Sequence, residues 1–164
     1  MRKLWLVAIA ALCGMQAAVA QSTIFVVRHA DRYGTEPDPS ITEVGQRQAE
    51  SLGHLLAETH ITRIFTSEAL RTHQTAEPTA QRFQVKPVSI DATDVDGLVR
   101  QLRQGLHQGE ATLVVGHRAT VPKIVKALTG KDVEPLTFDE YDRLEVVTLF
   151  PNGSSSVLTL RFGH

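Results

Sequence analysis

A short apolar run, Ile24–Val27, leads straight into Arg28 and His29, and it constrains the fold more than any other stretch of this chain. Three of its four residues are β-branched, which is typical of a strand buried on both faces of a parallel sheet. Ligands of open α/β sheets bind beyond the carboxyl ends of such strands. The Arg-His pair therefore lies either at a ligand-binding edge of the sheet or at an ordinary polar strand end. Later stretches of the chain favour the first interpretation.

Residues 1–20 have the layout of a secretory signal peptide. Arg2 and Lys3 form a positive start, Leu4–Leu12 is an apolar run, and Ala18 and Ala20 supply the small residues before a cleavage site. The run falls short of the roughly 20 residues that a membrane-spanning helix needs. We expect cleavage after Ala20, a periplasmic or secreted mature protein, and no stable membrane insertion.

The composition of the remaining residues, 21–164, excludes several classes of protein. The whole chain has 17 basic and 18 acidic residues, and two of the basic ones lie in the leading segment. No basic excess remains that would favour nucleic acid as a partner. Cys13 is the one cysteine, so no thiol or disulfide is expected after cleavage. The length is that of a single domain with a real core.

Strand and helix patterns alternate along this domain. The strand patterns cover Ile61–Thr66, Val85–Ile90 (toward an edge, because it contains Pro87), Ala111–Val115, Leu144–Phe150 and Ser156–Leu160. The helix patterns cover a segment capped by Ser40 or Thr42, Ser67–Phe83 with an interruption or kink at Pro78, Val95–His107, and Thr120–Leu128 with Gly130 as its stop. An Asn-Gly pair at 152–153 predicts a hairpin. We predict a three-layer α/β/α sandwich with a mostly parallel central sheet and a C-terminal antiparallel hairpin.

Chemically active side chains recur at three predicted strand ends. Arg28 and His29 follow the first strand, Arg71 lies about one helical turn after the second, and His117 follows the fourth. Because the carboxyl ends of parallel strands share one edge, these side chains can converge on one pocket. Guanidinium groups match the paired oxygens of phosphate, and a neutral imidazole can attack phosphorus.

The same residues predict how charge would be stabilised in that pocket. Arg28, Arg71 and a protonated His117 could stabilise the charge of a phosphoryl group in transfer. Arginines repel a cation, and no zinc-type spacing of histidines and carboxylates occurs in the sequence. We therefore predict no metal and no other cofactor.

Four stretches resemble motifs of the histidine phosphatase (phosphoglycerate mutase-like) superfamily. Val27–Ala30 resembles its Arg-His-Gly/Ala signature, Thr66–Ala76 resembles Ser-Pro-x-x-Arg-x-x-Gln-Thr-Ala, Val115–His117 resembles the closing Gly-His, and Ile41–Gly45 resembles Leu-Thr-x-x-Gly. The resemblance covers nearly all of residues 21–164. It implies that His29 is the phosphorylated nucleophile, that Arg28, Arg71 and His117 form the phosphate pocket, and that no metal is needed.

The chain departs from this pattern in three respects. The loop Asp31–Ser40 lacks the common Glu-Thr-x-x-x-Asn continuation, and Glu68 stands where proline is usual. Larger members place a glutamate, the proton donor to the leaving group, between the second Arg and the second His. In this chain the candidate donors are Glu68, Asp91, Asp94 and Asp96. The candidate rim residues are Arg32, Tyr33, Tyr141 and Arg118, the last of which either contacts substrate or is solvated.

These observations together predict an exported, metal-independent phosphatase. It would hydrolyse a phosphomonoester, small or borne on a protein, through a covalent phosphohistidine on His29. The small size resembles the phosphohistidine-phosphatase-type branch of the superfamily. Two alternatives stay open, a phosphate-binding module without turnover and a phosphomutase. The natural substrate and the oligomeric state are left unassigned by the sequence.

Overall fold

The computed structural model describes residues 21–34, 36–104 and 109–162. The predicted signal peptide, residues 1–20, lies outside these ranges. So do residues 105–107, the end of the predicted helix Val95–His107. Six strands and four helices follow each other in the order β1 (Ser22–Arg28), α1 (Glu43–Leu55), β2 (Ile61–Thr66), α2 (Leu70–Phe83), β3 (Val88–Ser89), α3 (Val95–Gln104), β4 (Ala111–Gly116), α4 (Val121–Thr129), β5 (Arg143–Leu149) and β6 (Ser155–Arg161).

The strands form one mixed sheet in the order β3-β2-β4-β1-β5-β6. β3, β2, β4 and β1 pair in parallel, whereas β5 runs antiparallel to β1 and forms an antiparallel hairpin with β6. The predicted architecture is confirmed, including the C-terminal hairpin. Strand β1 lies between a parallel and an antiparallel neighbour, so its carboxyl end sits in the interior of the sheet.

The side chains of β1 alternate between two apolar clusters, one on each face of the sheet. Ile24 and Val26 pack with residues of α3 and α4, whereas Phe25 and Val27 pack with residues of α1 and α2. Burial on both faces explains why the run is continuously apolar rather than alternating. Helices therefore cover both faces of the sheet, as the three-layer prediction requires.

Helix α1 begins after Thr42, which decides between the two predicted caps. The Thr42 hydroxyl accepts a hydrogen bond from the Gly45 amide at 3.0 Å and donates one to the Asp31 carboxylate at 2.8 Å. The amide of Thr42 also donates to the backbone carbonyl of Asp31 at 2.9 Å. These contacts join the start of α1 to the loop that follows His29.

Helix α2 begins at Leu70, three residues later than predicted. The Ser67 hydroxyl accepts a hydrogen bond from the Ala69 amide at 3.2 Å, so residues 67–69 form a turn rather than the first helical turn. Of the predicted interruption or kink at Pro78, the interruption is wrong, because α2 runs through this residue. The proline packs closely against α1, where a Cβ on Gly53 would lie 3.3 Å from the Pro78 Cβ.

Strand β3 is confirmed at the edge of the sheet but is shorter than predicted. It pairs with β2 only through Val88 and Ser89, since the preceding Pro87 has no amide hydrogen to offer a ladder. The remaining strand ends agree with the predictions within two residues. Within the described ranges, no helix is long and apolar enough to cross a membrane.

Gly45 provides a test of how tightly the first helix is joined to the loop after β1. A Cβ at this position would lie well inside contact distance of the Asp31 carbonyl oxygen, a backbone atom. We expect Gly45→Ala to lower the free energy of unfolding by about 1–3 kcal/mol through overpacking, as measured by urea denaturation. Glu50→Ala on the exposed face of the same helix should stay within about 0.5 kcal/mol. Stabilisation by Gly45→Ala, the usual effect of such a change inside a helix, would contradict this account.

Candidate active site

The register of three parallel strands brings the predicted site residues to one edge of the sheet. Arg28 pairs with Gly116, so the next residues, His29 and His117, emerge side by side. The His29 amide donates to the Gly116 carbonyl at 2.9 Å, and the two imidazole rings lie 5.4 Å apart between centroids. On the other side of β4, Thr66 pairs with Val115, which places Ser67 beside the same edge.

His29 is buried, with 4% of its surface exposed, and its tautomer is fixed by the backbone. Nδ1 lies 2.8 Å from the carbonyl oxygen of Ala30. A carbonyl can only accept, so Nδ1 carries the hydrogen and the lone pair is on Nε2. Among the described residues Nε2 has no hydrogen-bond partner, and it is not one of the fully buried polar atoms. This nitrogen is therefore open to a ligand.

Burial lowers the pKa of His29 to about 3, and the nearby positive charges of Arg28 and Arg71 act in the same direction. The hydrogen bond to Ala30 opposes this effect only in part. The imidazole is consequently neutral at physiological pH, the form in which its nitrogen is nucleophilic.

His117 joins the second and fourth strand ends. Its Nε2 lies 2.9 Å from the Ser67 hydroxyl, and its Nδ1 lies 3.5 Å from Nη2 of Arg71. Because a guanidinium can only donate, Nδ1 is an acceptor and Nε2 carries the hydrogen. Burial, together with the charge of Arg71, lowers the pKa of His117 to about 4, although the charge of Glu68 raises it. These effects favour the neutral form of His117 at physiological pH.

Arg28 is held by a loop far from it in the sequence. Its Nη1 donates to the carbonyl oxygens of Thr137, Phe138 and Glu140 at 3.2, 2.8 and 3.0 Å. The guanidinium carbon lies 3.8 Å from the centre of the Tyr141 ring. Its Nε is buried without a partner among the described residues. With Nη1 committed to the loop and Nε fully buried, Nη2 remains for a ligand.

The same loop is fixed from the other side by charged side chains of the hairpin. Glu140 pairs with Arg161 at 2.9 Å and with Arg143 at 3.4 Å. Arg143 also pairs at 3.5 Å with Glu145, which is fully buried. These ion pairs connect the position of Arg28 to β5 and β6.

Arg71 lies at the start of α2, with its side chain 19% exposed. Besides the contact with His117, its Nη1 lies 3.5 Å from the carboxylate of Asp38. Its Nε is buried without a partner in the described part of the chain. All four predicted site residues are therefore brought to one edge, and their roles stay predictions.

Several residues with a place at this site were missed or underrated in the sequence. Tyr141, expected only at the rim, has its ring 6.0 Å from that of His29. Thr75 accepts from the Ala30 amide at 2.9 Å, and Gln74 accepts from the Ile41 amide at 2.9 Å. Both belong to the second motif, so the motif also anchors the loop after His29. The hydroxyl of Ser67 and the carboxylate of Asp38 had no pattern that pointed to their partners.

The four candidate proton donors differ in what their carboxylates already do. Asp91 accepts two hydrogen bonds from Thr93 at 2.7 Å, which lower its pKa. Asp94 caps α3 by accepting from the Gly97 amide at 2.8 Å, and Asp96 is exposed in the first turn of α3. Glu68 accepts from the Ala92 amide at 3.0 Å, and its charge acts on His117. Glu68 is thus the candidate whose carboxylate is coupled to the pocket.

Open space beside the pocket lies between α3 and α4. A cavity of about 30 Å³ is lined in part by Ser67, His117 and Thr120, and it has room for about one water molecule. Ala92–Val95 and Thr120 also line a neighbouring groove of about 400 Å³ that reaches Lys123. Arg118 and Tyr33 are exposed. Within the described residues, no group of three His, Cys, Asp or Glu side chains could hold a metal ion.

Comparisons with known proteins agree with this architecture. Residues 22–93 match the model of the Histidine phosphatase superfamily (branch 1), which confirms the resemblance drawn from the motifs. The comparison with curated proteins gives no significant match.

Solved structures with the same fold cover most of the chain. The protein histidine phosphatase SixA complexed with tungstate is 20% identical, with 85% of this chain and 96% of that chain covered and a TM-score of 0.68. A putative phosphohistidine phosphatase SixA from Nakamurella multipartitia is 19% identical (88% and 98% covered, TM-score 0.67). A phosphoglycerate mutase from Plasmodium falciparum is 17% identical (85% and 89% covered, TM-score 0.63). At these identities the likeness shows the fold alone.

The neutral state of His29 predicts a pH dependence of stability. Its pKa is about 3 in the folded protein against 6.5 for an unperturbed histidine, so the unfolded chain takes up the proton first as the pH falls below 6.5. The stabilisation is complete above that value and is lost progressively between pH 6.5 and 3. Between pH 7 and pH 5 the free energy of unfolding of wild type should fall by about 2 kcal/mol more than that of His29→Gln. Denaturant titrations at both pH values measure this difference, and an identical fall in the two proteins would contradict it.

Proposed function

We propose that this chain, whose residues 22–93 match the histidine phosphatase superfamily, is an exported, metal-independent phosphatase that works through a covalent phosphohistidine on His29. One observation carries the proposal. The buried imidazole of His29 is neutral, its Nδ1 donates to a backbone carbonyl, and its Nε2 is open beside two arginines and a second histidine. A neutral imidazole held in one tautomer next to fixed positive charge is suited to attack phosphorus.

The phosphoryl group would be bound by guanidinium nitrogens that face the pocket. Nη2 of Arg28 makes no hydrogen bond among the described residues, and Nη1 and Nη2 of Arg71 make only long contacts of 3.5 Å, so these donors can turn to phosphate oxygens. The imidazole of His117 lies between Arg71, which contacts its Nδ1, and Ser67, which contacts its Nε2. A bound dianion would favour the protonated form of His117, whose pKa burial and Arg71 otherwise hold low.

In the first step, Nε2 of His29 attacks phosphorus and the bond from phosphorus to the leaving oxygen breaks. The electron pair of that bond leaves with the oxygen, which takes a proton from the solvent, and the second step returns one proton to the solvent. Positive charge develops on the imidazole, and the hydrogen bond from Nδ1 to the Ala30 carbonyl stabilises it.

In the second step, a water molecule attacks phosphorus on the face that the leaving group has vacated. The phosphorus–nitrogen bond breaks, and its electron pair returns to Nε2. The water gives up one proton, so the products are inorganic phosphate and neutral His29, ready for another turn.

The carboxylates near the pocket favour a substrate that needs little help from an acid. Asp91 and Asp94 are occupied by hydrogen bonds within their own loop and helix start, and Glu68 is tied to the Ala92 amide. Leaving groups of low basicity depart without strong protonation. The compact size and the likeness in fold to phosphohistidine phosphatases support the small, phosphohistidine-phosphatase-type branch. The groove near Lys123 offers room for a small leaving group or a protein side chain.

Two other functions fit parts of the same site. A phosphate-binding module would use the arginines without turnover, and the weak acid set is the observation that favours it. A phosphomutase would return the phosphoryl group to a second hydroxyl of its substrate, and the likeness in fold to a phosphoglycerate mutase is what supports it.

An aryl phosphate separates the phosphatase from the binding module, because its phenolate leaves without an acid. We expect the mature protein to release phosphate from p-nitrophenyl phosphate, and we expect His29→Ala to abolish the release. Acid-labile, alkali-stable label trapped on His29 would identify the covalent intermediate. Phosphate binding by wild type without release above the His29→Ala background would instead support the binding module.

Loss of either arginine should slow this reaction strongly. Removing one donor to a developing charge typically costs about 2.7–4 kcal/mol, so Arg28→Ala and Arg71→Ala should each lower kcat/KM by about 100- to 1000-fold. Thermal unfolding of the same proteins serves as a control, since Arg28 also anchors the loop at Thr137–Glu140. A loss below tenfold at both positions would mean that the phosphate pocket lies elsewhere.

A further inference from the structure

We propose that Asp38 competes with phosphate for Arg71 and thereby sets how tightly the pocket holds a phosphate dianion. The proposal rests on the function proposed above, because it takes Arg71 as a phosphate ligand. It concerns a residue of the loop after His29, the segment in which the sequence departs most from the superfamily pattern.

The carboxylate of Asp38 binds two donors at the start of α2. Its Oδ1 accepts from the Leu70 amide at 2.9 Å and lies 3.5 Å from Nη1 of Arg71. The residue before the helix is Ala69, which offers no side-chain cap. Asp38 therefore supplies the missing cap from a segment more than thirty residues away.

Of these two donors, Arg71 is the one that an anion in the pocket would seek. Guanidinium groups match the paired oxygens of phosphate. A carboxylate already bound there opposes a dianion on the same guanidinium, since like charges a few ångströms apart repel. Binding of phosphate must then either weaken the contact between Asp38 and Arg71 or overcome the repulsion between the phosphate and the Asp38 carboxylate.

The contact is loose enough to yield. Charge-assisted hydrogen bonds between nitrogen and a carboxylate are usually about 2.7–2.9 Å long, shorter than the 3.5 Å seen between Asp38 and Arg71, and the Asp38 side chain is 54% exposed. Arg71 also contacts His117 through Nη2, so its position does not depend on Asp38 alone. Removal of the Asp38 charge should consequently free Arg71 for phosphate without releasing it from the pocket.

Asp38→Asn is the variant that isolates this effect. The amide oxygen of asparagine can still accept from the Leu70 amide, so the cap is kept while the charge is removed. Asp132→Asn is the matched control, because it removes one carboxylate charge from an exposed ion pair with Lys126 and does not touch Arg71. Both variants change the net charge of the protein equally.

The measurement is calorimetric titration of folded wild type and both variants with inorganic phosphate at low ionic strength. Exposed ion pairs have modest strength, so we expect Asp38→Asn to bind phosphate about 1.5- to 5-fold more tightly than wild type. We expect Asp132→Asn to bind as wild type does, and we expect added salt to shrink the difference made by Asp38→Asn. Equal or weaker binding by Asp38→Asn overturns the proposal, and weaker binding would make Asp38 a residue that positions Arg71.

Turnover of p-nitrophenyl phosphate by the same preparations separates this proposal from the proposed function. Tighter phosphate binding by Asp38→Asn without turnover by wild type would support the competition and overturn the phosphatase. Turnover by wild type with no gain in phosphate affinity for Asp38→Asn would support the phosphatase and overturn the competition.

Discussion

The register between β1 and β4 is the constraint on which the rest of this site depends. Pairing of Arg28 with Gly116 makes the two following histidines neighbours, and pairing of Thr66 with Val115 adds Ser67 on the far side. A shift of one residue would turn every side chain of β1 to the opposite face. Because both faces are filled by separate apolar clusters, such a shift would disrupt packing as well as the site. The burial of Ile24–Val27 thus fixes where the imidazoles meet.

Several of the predicted site residues are held by segments outside the strands that precede them. Three carbonyls of the loop before β5 hold Arg28, and Thr75 of α2 holds the amide that follows His29. Ser67 and Arg71 bracket the ring of His117. The tautomer of each imidazole is fixed by its partner. The Ala30 carbonyl can only accept, so Nδ1 of His29 carries the hydrogen, and Arg71 can only donate, so Nδ1 of His117 accepts. The geometry of the predicted site therefore depends on loops as much as on the sheet.

What could be predicted from the sequence is what short patterns encode. Apolar runs and helical stripes gave the order of elements, and polar residues at strand ends gave Arg28, His29, Arg71 and His117. The start of α2 was misjudged because the Ser67 hydroxyl, which looks like a cap, makes a turn and contacts His117 instead. The contacts of Asp38 and Tyr141 join segments distant in sequence, and no local pattern encodes them. The neutral state of His117 likewise follows from its burial and from Arg71.

The antiparallel hairpin at the end of the chain supports the predicted site although it lies at the edge of the sheet. All four predicted site residues come before residue 118, so the parallel part of the fold contains them all. The loop whose carbonyls accept from Arg28 is held in place through Glu140. This residue forms ion pairs with Arg143 of β5 and Arg161 of β6. A shortened protein that ended after α4 would keep every reactive side chain and lose the acceptors of one of them. The buried guanidinium of Arg28 therefore depends on a segment that follows every predicted site residue in the chain.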